Sequence, residues 1–149
     1  SFYLKEYDSA YRYYKRFNYL RELYKLDIYR HENLNIGLVY EKAGDTKKAK
    51  AFINDYRQYI ETDQTAYKDL GLSAYYHCIG DTDKAIKHLK SFSKQDNIQY
   101  WIILFMRLEP LPNGMSGIPE CKKIMDEIEA KFWANHEKLK LTLEEKDLL

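Results

Sequence analysis

Two near-identical hexapeptides constrain this chain more than any other feature. Residues 44–49 read Gly-Asp-Thr-Lys-Lys-Ala and residues 80–85 read Gly-Asp-Thr-Asp-Lys-Ala, so the stretches begin 36 residues apart and differ at one position. The same offset pairs residues outside them: Leu34 with Leu70, Ile36 with Leu72, Gly37 with Ser73, Tyr40 with Tyr76, Ile53 with Leu89, and Tyr56 with Phe92. Self-similarity at a period of roughly 20–50 residues is typical of stacked repeats. Two copies of one structural unit are therefore predicted.

Each hexapeptide has the chemistry of a turn between two helices. Glycine accepts the left-handed backbone conformation found at helix ends, so Gly44 and Gly80 are predicted to end a first helix. The aspartates that follow, Asp45 and Asp81, are preferred N-cap residues, because the carboxylate accepts a free amide hydrogen of the next helix. The predicted helices span 27–43 and 46–60 in one unit, and 65–79 and 82–94 in the next.

Small residues mark the place where the two helices of a unit are predicted to cross. Gly37 and Ser73 lie on the first helices, and Ala49 and Ala85 on the second. A close crossing needs short side chains on both partners, since interiors are packed without spare room.

The order of small residue, tyrosine, Gly-Asp turn, alanine and aliphatic residue resembles the tetratricopeptide repeat, whose pattern is Gly-x-x-Tyr followed by Ala-x-x-x-Phe. The resemblance implies an all-α fold of about seven helices, arranged as antiparallel pairs in a right-handed solenoid with a degenerate closing helix. The implied organisation is one domain over residues 1–149, divided into a partial repeat 4–26, a repeat 27–61, a repeat 65–94, and a degenerate repeat with closing helices 98–149.

The two ends of the chain fit this scheme less regularly. Residues 4–26 have the pattern of a second helix, with Ala10 in the register of Ala49, and the missing first helix and the absence of a starting Met indicate a part of a longer protein. Residues 98–108 are apolar on nearly every face, which predicts burial in the domain or cover by another chain. A loop over 109–117 and an amphipathic helix over 120–134 follow, which resembles the end of repeat regions in bacterial transcriptional regulators and signalling proteins.

Composition excludes several classes of function. Lysine and arginine number 24 and aspartate and glutamate 23, so the net charge of +1 gives no drive toward nucleic acid or membrane. Basic residues alternate with tyrosines over residues 11–25, but the balanced charge favours a solvated face over a nucleic-acid site. No run of 18 apolar residues occurs, so no membrane span is predicted. Two cysteines fit a reducing compartment, so a cytoplasmic location is expected.

Peptide-binding tetratricopeptide repeats use the groove lined by their first helices. The resemblance implies partner-binding positions here at His31, Leu34, Leu38, Glu41, Lys42, Tyr67, Leu70, Ala74 and His77, with Cys78 beside them. The carboxylate clamp of chaperone-binding members needs Lys and Asn, whereas Leu and Ala stand at the corresponding positions, so that ligand is not implied. An apolar groove fits a hydrophobic helix or a segment of the chain itself. The alternative is that these leucines are repeat-to-repeat core.

No catalytic or metal site is predicted. His77 and Cys78 are adjacent, so on one helix their side chains point about 100° apart and cannot chelate together. The other candidates, His31, His88, His136 and Cys121, lack the spacing of zinc ligands, and no phosphate loop or nucleophile elbow occurs. We therefore expect no enzyme activity, cofactor or metal.

The sequence thus predicts a protein–protein interaction module, a scaffold that binds a peptide or protein segment as part of a larger regulatory protein. One alternative is a self-associating domain that dimerises a bacterial transcriptional regulator or sensor through the Trp101 region or the last helix. Another is an enzyme or small-ligand sensor with its site in the groove. Fold class alone does not separate these functions.

Overall fold

A computed structural model describes residues 6–106 and 114–149, and every regular element in those ranges is helical. The all-α prediction is therefore confirmed for this part of the chain. The helices are α1 (Tyr7–Leu23), α2 (Asn33–Lys42), α3 (Thr46–Thr62), α4 (Lys68–Cys78), α5 (Thr82–Ser93), α6 (Tyr100–Phe105) and α7 (Pro119–Glu145), and a 3₁₀ turn (Arg30–Glu32) precedes α2. Most of the loop predicted over 109–117 lies outside the described residues.

The two Gly-Asp turns have the predicted geometry. Gly44 and Gly80 take φ of +86° and +83°, in the left-handed region where only glycine is unstrained. The Asp45 and Asp81 carboxylates each accept a hydrogen bond from the backbone N–H three residues on, at 3.2 Å in both turns. Both N-cap predictions are confirmed, and each turn reverses the chain within three residues.

α2 and α3 pack as an antiparallel pair. Tyr40, near the end of α2, packs with Ala49, near the start of α3, whereas Leu34 at the start of α2 packs with Ile60 at the end of α3. Between these contacts a Cβ added to Gly37 would lie only 3.1 Å from the backbone oxygen of Ala49. The two helices therefore meet backbone to backbone at the predicted small residues.

α4 and α5 form a second pair with matching contacts. Ser73 is fully buried and its hydroxyl donates to the carbonyl oxygen of Ala85 at 2.7 Å, at the positions 36 residues after Gly37 and Ala49. Near the turn, the Lys84 ammonium lies 5.1 Å from the centre of the Tyr76 ring, as the equivalent lysine of the first pair lies 5.8 Å from Tyr40. The sequence repeat thus recurs in individual contacts.

The largest hydrophobic cluster joins α5, α6 and the first half of α7. Its buried residues are Ala85, Leu89, Phe92, Ile98, Ile102, Ile103, Met106, Met115, Cys121, Ile124, Met125 and Ile128. The N-terminal end of the described chain has a smaller cluster, whose buried residues are Ala10 of α1 and Val39 of α2. No helix in the described residues combines the length and the apolar composition that a membrane span requires.

Lys131 of α7 binds the end of α5. Lys131 Nζ donates to the carbonyl oxygens of Ser93, Lys94 and Gln95 at 3.5, 3.3 and 2.7 Å, and it forms an ion pair with Asp96 at 2.9 Å. The last carbonyls of a helix have no partner within the helix and carry partial negative charge, so a cation is favourable there.

Three predicted boundaries are wrong. The helix predicted from residue 65 begins at Lys68, after a turn. The helix predicted from Asp27 begins at Asn33, because Lys25 and Tyr29 take positive φ of 50° and 55° and a 3₁₀ turn intervenes. The last helix, predicted to end at residue 134, continues to Glu145. Of the segment 98–108, only residues 98–106 are described, and their burial is one-sided, since Ile102 is buried whereas Trp101 is 44% exposed.

Replacing Ala49 by leucine is expected to lower the free energy of unfolding by about 1–3 kcal/mol. Ala49 is 2% exposed at the crossing of α2 and α3, so a larger side chain must push the helices apart. Ala51→Leu is the control, because Ala51 is exposed on the same helix and its change should cost less than about 0.5 kcal/mol. Thermal unfolding of both variants measures the difference, and equal melting temperatures would contradict the tight crossing.

Candidate functional site

The candidate site is a cavity of about 750 Å³ between α3, α4, α6 and α7. Most of its lining is aromatic, aliphatic or thioether, with a few polar residues. The lining residues are His31, Glu32, Asn35, Tyr56, Tyr59, Ile60, Asp63, Thr65, Tyr67, Leu70, Gly71, Ala74, Leu89, Trp101, Ile102, Met106, Met115 and Met125. Methionine and aromatic side chains present adaptable and polarisable surfaces, which suit the binding of apolar side chains.

One wall of the cavity is a face of α4. Tyr67, Leu70 and Ala74 recur at spacings of three and four residues, which places them on the same side of the helix. Where α4 approaches α3, a Cβ added to Gly71 would lie 2.4 Å from Ile60 Cδ1. The Tyr56 hydroxyl donates to the Gly71 carbonyl oxygen at 3.3 Å, so this side of the cavity is held by direct contact between the helices.

Two aromatic pairs border the cavity. The Tyr56 and Tyr59 ring centres lie 6.3 Å apart on α3, and those of Tyr67 and Trp101 lie 5.3 Å apart between α4 and α6. The Arg30 guanidinium already lies over the Tyr59 ring, 5.7 Å from its centre. Trp101 is 44% exposed, which is high for a side chain of its size in a packed domain.

The polar part of the lining includes two carboxylates, Glu32 and Asp63. Glu32 accepts hydrogen bonds from the Tyr14 hydroxyl at 3.2 Å and from Asn35 Nδ2 at 3.4 Å. Asp63 accepts from the backbone N–H and the hydroxyl of Thr65, at 2.8 and 2.9 Å. All four donors are neutral, so none of these hydrogen bonds brings a counter-charge to either carboxylate.

The structure brings four of the predicted groove residues to this cavity. His31, Tyr67, Leu70 and Ala74 all line it, although His31 belongs to the 3₁₀ turn, Tyr67 is the N-cap residue of α4, and Leu70 and Ala74 lie within α4. Whether they bind a partner remains a prediction.

The other predicted groove residues lie elsewhere. Leu34 is 3% exposed within the core, and Leu38 packs against two core clusters. This arrangement fits the alternative that these leucines are repeat-to-repeat core. Glu41 and Lys42 are exposed at the end of α2 and do not line the cavity. His77 packs beside Gly114, and burial lowers the pKa of its imidazole.

Sequence reasoning missed much of the lining. Tyr56 and Tyr59 belong to α3, the second helix of its pair, whereas the resemblance directed attention to first helices only. The successive spacings of three and four residues in Tyr56, Tyr59 and Asp63 were a signal that could have identified this face. Met115 and Met125 reach the cavity through long-range packing, for which no local pattern exists.

A second concavity, of about 510 Å³, is built around an internally satisfied polar network. Arg30 holds the Asp55 carboxylate with both Nε and Nη2, at 3.2 and 2.8 Å, and Asn33 Nδ2 donates to the same carboxylate at 2.6 Å. Arg21 completes the network by donating to Asn33 Oδ1 at 3.0 Å. These side chains join α1, the 3₁₀ turn, α2 and α3, so we assign them to the fold.

The Asp55 network predicts a loss of stability in acid. Burial raises the pKa of the Asp55 carboxyl, but hydrogen bonds from Arg30 and Asn33 outweigh it and hold that pKa below its ordinary value. A carboxyl with a lowered folded-state pKa stabilises the fold above its unfolded pKa of about 3.9, and this contribution disappears as the pH falls through the folded pKa.

Asp55→Asn is therefore expected to be less stable at neutral pH and to lose less stability than the unmodified chain between about pH 5 and pH 3. The urea midpoint, measured across that range, tests this. Asp83→Asn is the control, because Asp83 is exposed on α5. Parallel pH profiles for Asp55→Asn and the unmodified chain would contradict the prediction.

The cysteines are not poised for nucleophilic chemistry. Burial, with a smaller contribution from the charge of Glu41, raises the pKa of the Cys78 thiol to about 11. Burial likewise raises the pKa of Cys121. Thiolate is the reactive form, so both thiols are inert near neutral pH. Within residues 6–106 and 114–149, no three His, Cys, Asp or Glu side chains converge as a metal site, and the prediction that none binds a metal remains open to elemental analysis.

Comparison with known proteins does not extend this description. No protein-family model matches the chain, and no curated protein or solved structure is detectably similar to it. The chemistry of the cavity is therefore argued from its own geometry.

Proposed function

We propose that this chain is a tetratricopeptide-like protein-interaction domain whose cavity binds a segment of a partner protein. The observation that carries the proposal is the lining of the cavity, where two aromatic pairs and three methionines surround about 750 Å³ of open space. Aromatic residues and methionine are enriched at the centres of protein interfaces. The matched turns and crossings of α2–α3 and α4–α5 support the repeat character.

The dimensions of the cavity favour a short segment over a folded surface. Ligand pockets span roughly 300–1,000 Å³, and this cavity falls in that range, which is room for a few anchoring side chains. Its walls are helices already packed against each other, with the Tyr56–Gly71 hydrogen bond in place. Little ordering is then needed on binding, so more of the contact energy is retained as affinity.

Filling the cavity is expected to abolish binding of such a segment. Peptides would first be selected from a random displayed library on the immobilised chain. They would then be titrated against the variant Trp133→Phe, in which Trp101 is the only tryptophan, so its fluorescence reports on binding in the cavity. Ala74→Phe should weaken binding at least about tenfold, because the new ring occupies the space of the ligand. Ala130→Phe makes the same change at an exposed position of α7 and should leave binding intact. Equal affinities for the two variants would place the binding site outside the cavity.

A separate observation favours self-association as a second function. Cys121, Met125 and Ile128 form the buried stripe of α7, and the same helical spacing continues through Phe132, His136, Leu139 and Leu143. Leu139 is 59% exposed and His136 is exposed, whereas Phe132 and Leu143 are half-buried, so the described part of the chain covers the rear half of the stripe only in part. We propose that a second copy covers it, and the test is argued in the Discussion.

A further inference from the structure

We propose that the cavity selects a lysine or arginine side chain of the partner segment, with the cationic end at Glu32 and Asp63 and the aliphatic stem against the aromatic pair of Tyr67 and Trp101. This inference rests on the proposed function and names the chemistry of the ligand. It follows from the charge of the lining, the partners of the two carboxylates and the exposure of the aromatic pair.

The charge of the lining is one-sided. Glu32 and Asp63 contribute two carboxylates, whereas no lysine or arginine of the described chain lines the cavity. The concavity around Asp55 is different, because Arg30 neutralises the carboxylate there with two hydrogen bonds. A cleft lined by one sign of charge with low-dielectric walls concentrates ligands of the opposite sign. The cavity therefore attracts cations and repels carboxylates.

Both carboxylates accept hydrogen bonds from neutral groups only, among the described residues. The hydrogen bonds to Glu32 come from a tyrosine hydroxyl and an asparagine amide, and those to Asp63 from Thr65. No lysine or arginine nitrogen in residues 6–106 and 114–149 lies within 4.0 Å of either group. The imidazole of His31 lies at the edge of this range, with its Nε2 3.9 Å from Glu32 Oε1. A cationic ligand would supply the missing counter-charge.

The apolar part of the cavity fits the stem of the same side chain. Lysine and arginine carry three or four methylenes that pack against apolar surface while the charged head stays at a polar edge. Tryptophan and tyrosine faces attract a cation within about 6 Å of the ring centre. Arg30 already occupies a face of Tyr59, but no such cation lies over Tyr67 or Trp101 among the described residues. A purely apolar ligand would instead desolvate the two carboxylates without pairing them, which costs free energy.

The test uses five labelled peptides of the form acetyl-Gly-Ala-Leu-Xaa-Leu-Ala-Gly-amide, with Lys, Arg, Gln, Leu or Glu at Xaa, and fluorescence anisotropy with the full chain. We expect the Lys and Arg peptides to bind at least about tenfold more tightly than the Gln peptide, and the Glu peptide to bind most weakly. Raising the salt concentration should reduce the preference, since screening weakens ion pairs at an open site.

Charge-neutral variants then locate the preference. Glu32→Gln and Asp63→Asn, singly and together, keep the shape of the site, and the double variant should bind the Lys and Gln peptides within about threefold of each other. Glu41→Gln is the matched control, because Glu41 is an exposed carboxylate outside the cavity, and the preference should persist there. Circular dichroism and thermal melts verify that each variant is folded.

The outcomes separate the two proposals. Equal affinity for the Lys, Gln and Leu peptides, with all binding lost in Ala74→Phe, would overturn the cation preference and leave the peptide-binding function standing. A preference for the Glu peptide would also overturn the cation preference. So would a preference for the Lys peptide over the Gln peptide that persists in the double variant Glu32→Gln with Asp63→Asn. Failure of every peptide to bind, together with failure of library selection, would overturn both.

Discussion

Replacing Phe92 by alanine is expected to lower the free energy of unfolding by about 3–5 kcal/mol. Phe92 is 1% exposed and belongs to the cluster that joins α5, α6 and α7. Loss of its ring removes apolar contacts and leaves a cavity. The helices around it cannot close in freely, because Lys131 holds α7 to the carbonyl oxygens at the end of α5. Urea unfolding followed by far-ultraviolet circular dichroism measures the loss.

Two controls make this prediction specific. Phe92→Leu keeps most of the side-chain volume, so the core can repack around it. Its loss of unfolding free energy should therefore be clearly smaller than that of Phe92→Ala, which leaves an empty site. Tyr13→Ala removes an aromatic ring that is 71% exposed and should stay within about 0.5 kcal/mol of the unmodified chain. Trp133 fluorescence and circular dichroism should give coincident transitions if α7 unfolds together with α5. A loss below about 1 kcal/mol for Phe92→Ala would contradict the burial on which the prediction depends.

The parts of the fold that sequence predicted correctly depend on local chemistry. Gly44 and Gly80 end helices because of their backbone conformation, and Asp45 and Asp81 begin the next ones through a hydrogen bond three residues away. Such interactions involve only neighbours in the chain, so a repeated hexapeptide reports them faithfully. The arrangement of the units as a right-handed solenoid depends on long-range packing and remains a prediction.

The wrong boundaries show where local patterns fail. The apolar spacing before α2 continues through Leu26 and Ile28. The positive φ of Lys25 and Tyr29 nevertheless prevents a helix there. Neither lysine nor tyrosine is a residue type from which a positive φ is predicted. The extension of α7 was missed because its charged composition after Asn135 resembles a solvated tail. Helix propensity is a weak guide when a segment gains its order from packing.

The candidate site was predictable only in part, for a related reason. The spacing of Tyr67, Leu70 and Ala74 places them on one face of α4, and the structure brings that face to the cavity. Leu34 has the same apolar character, but α3 packs over it and buries it in the core. Which apolar face is covered and which stays open is decided by the neighbouring helices, so a pattern within one helix does not determine it.

The rear half of α7 gives the second large expected effect, a change of oligomeric state. Beyond Ile128, the last buried residue of the helix, α7 continues for 17 residues to Glu145, roughly 25 Å at 1.5 Å per residue. An isolated helix of that length is marginal in water without an apolar face to bury. The stripe through Leu139, which is exposed, and Leu143, which is half-buried, provides such a face, and pairing about a twofold axis is the commonest way for identical chains to cover one.

We expect the unmodified chain to sediment at twice its 17.9 kDa mass at micromolar concentrations, and Leu139→Glu combined with Leu143→Glu to sediment as a monomer. Carboxylates placed at the centre of the stripe cannot be buried without partners, so the paired state is lost. Lys138→Glu changes the net charge by the same two units on a different face of the helix and should leave the dimer intact, which excludes a general charge effect. Hydrogen exchange over residues 135–145 should accelerate in the double variant alone, because those amides lose the cover of the second copy. A constant monomer mass for the unmodified chain across a concentration series would remove self-association, and partner binding at the cavity would then stand as the better proposal.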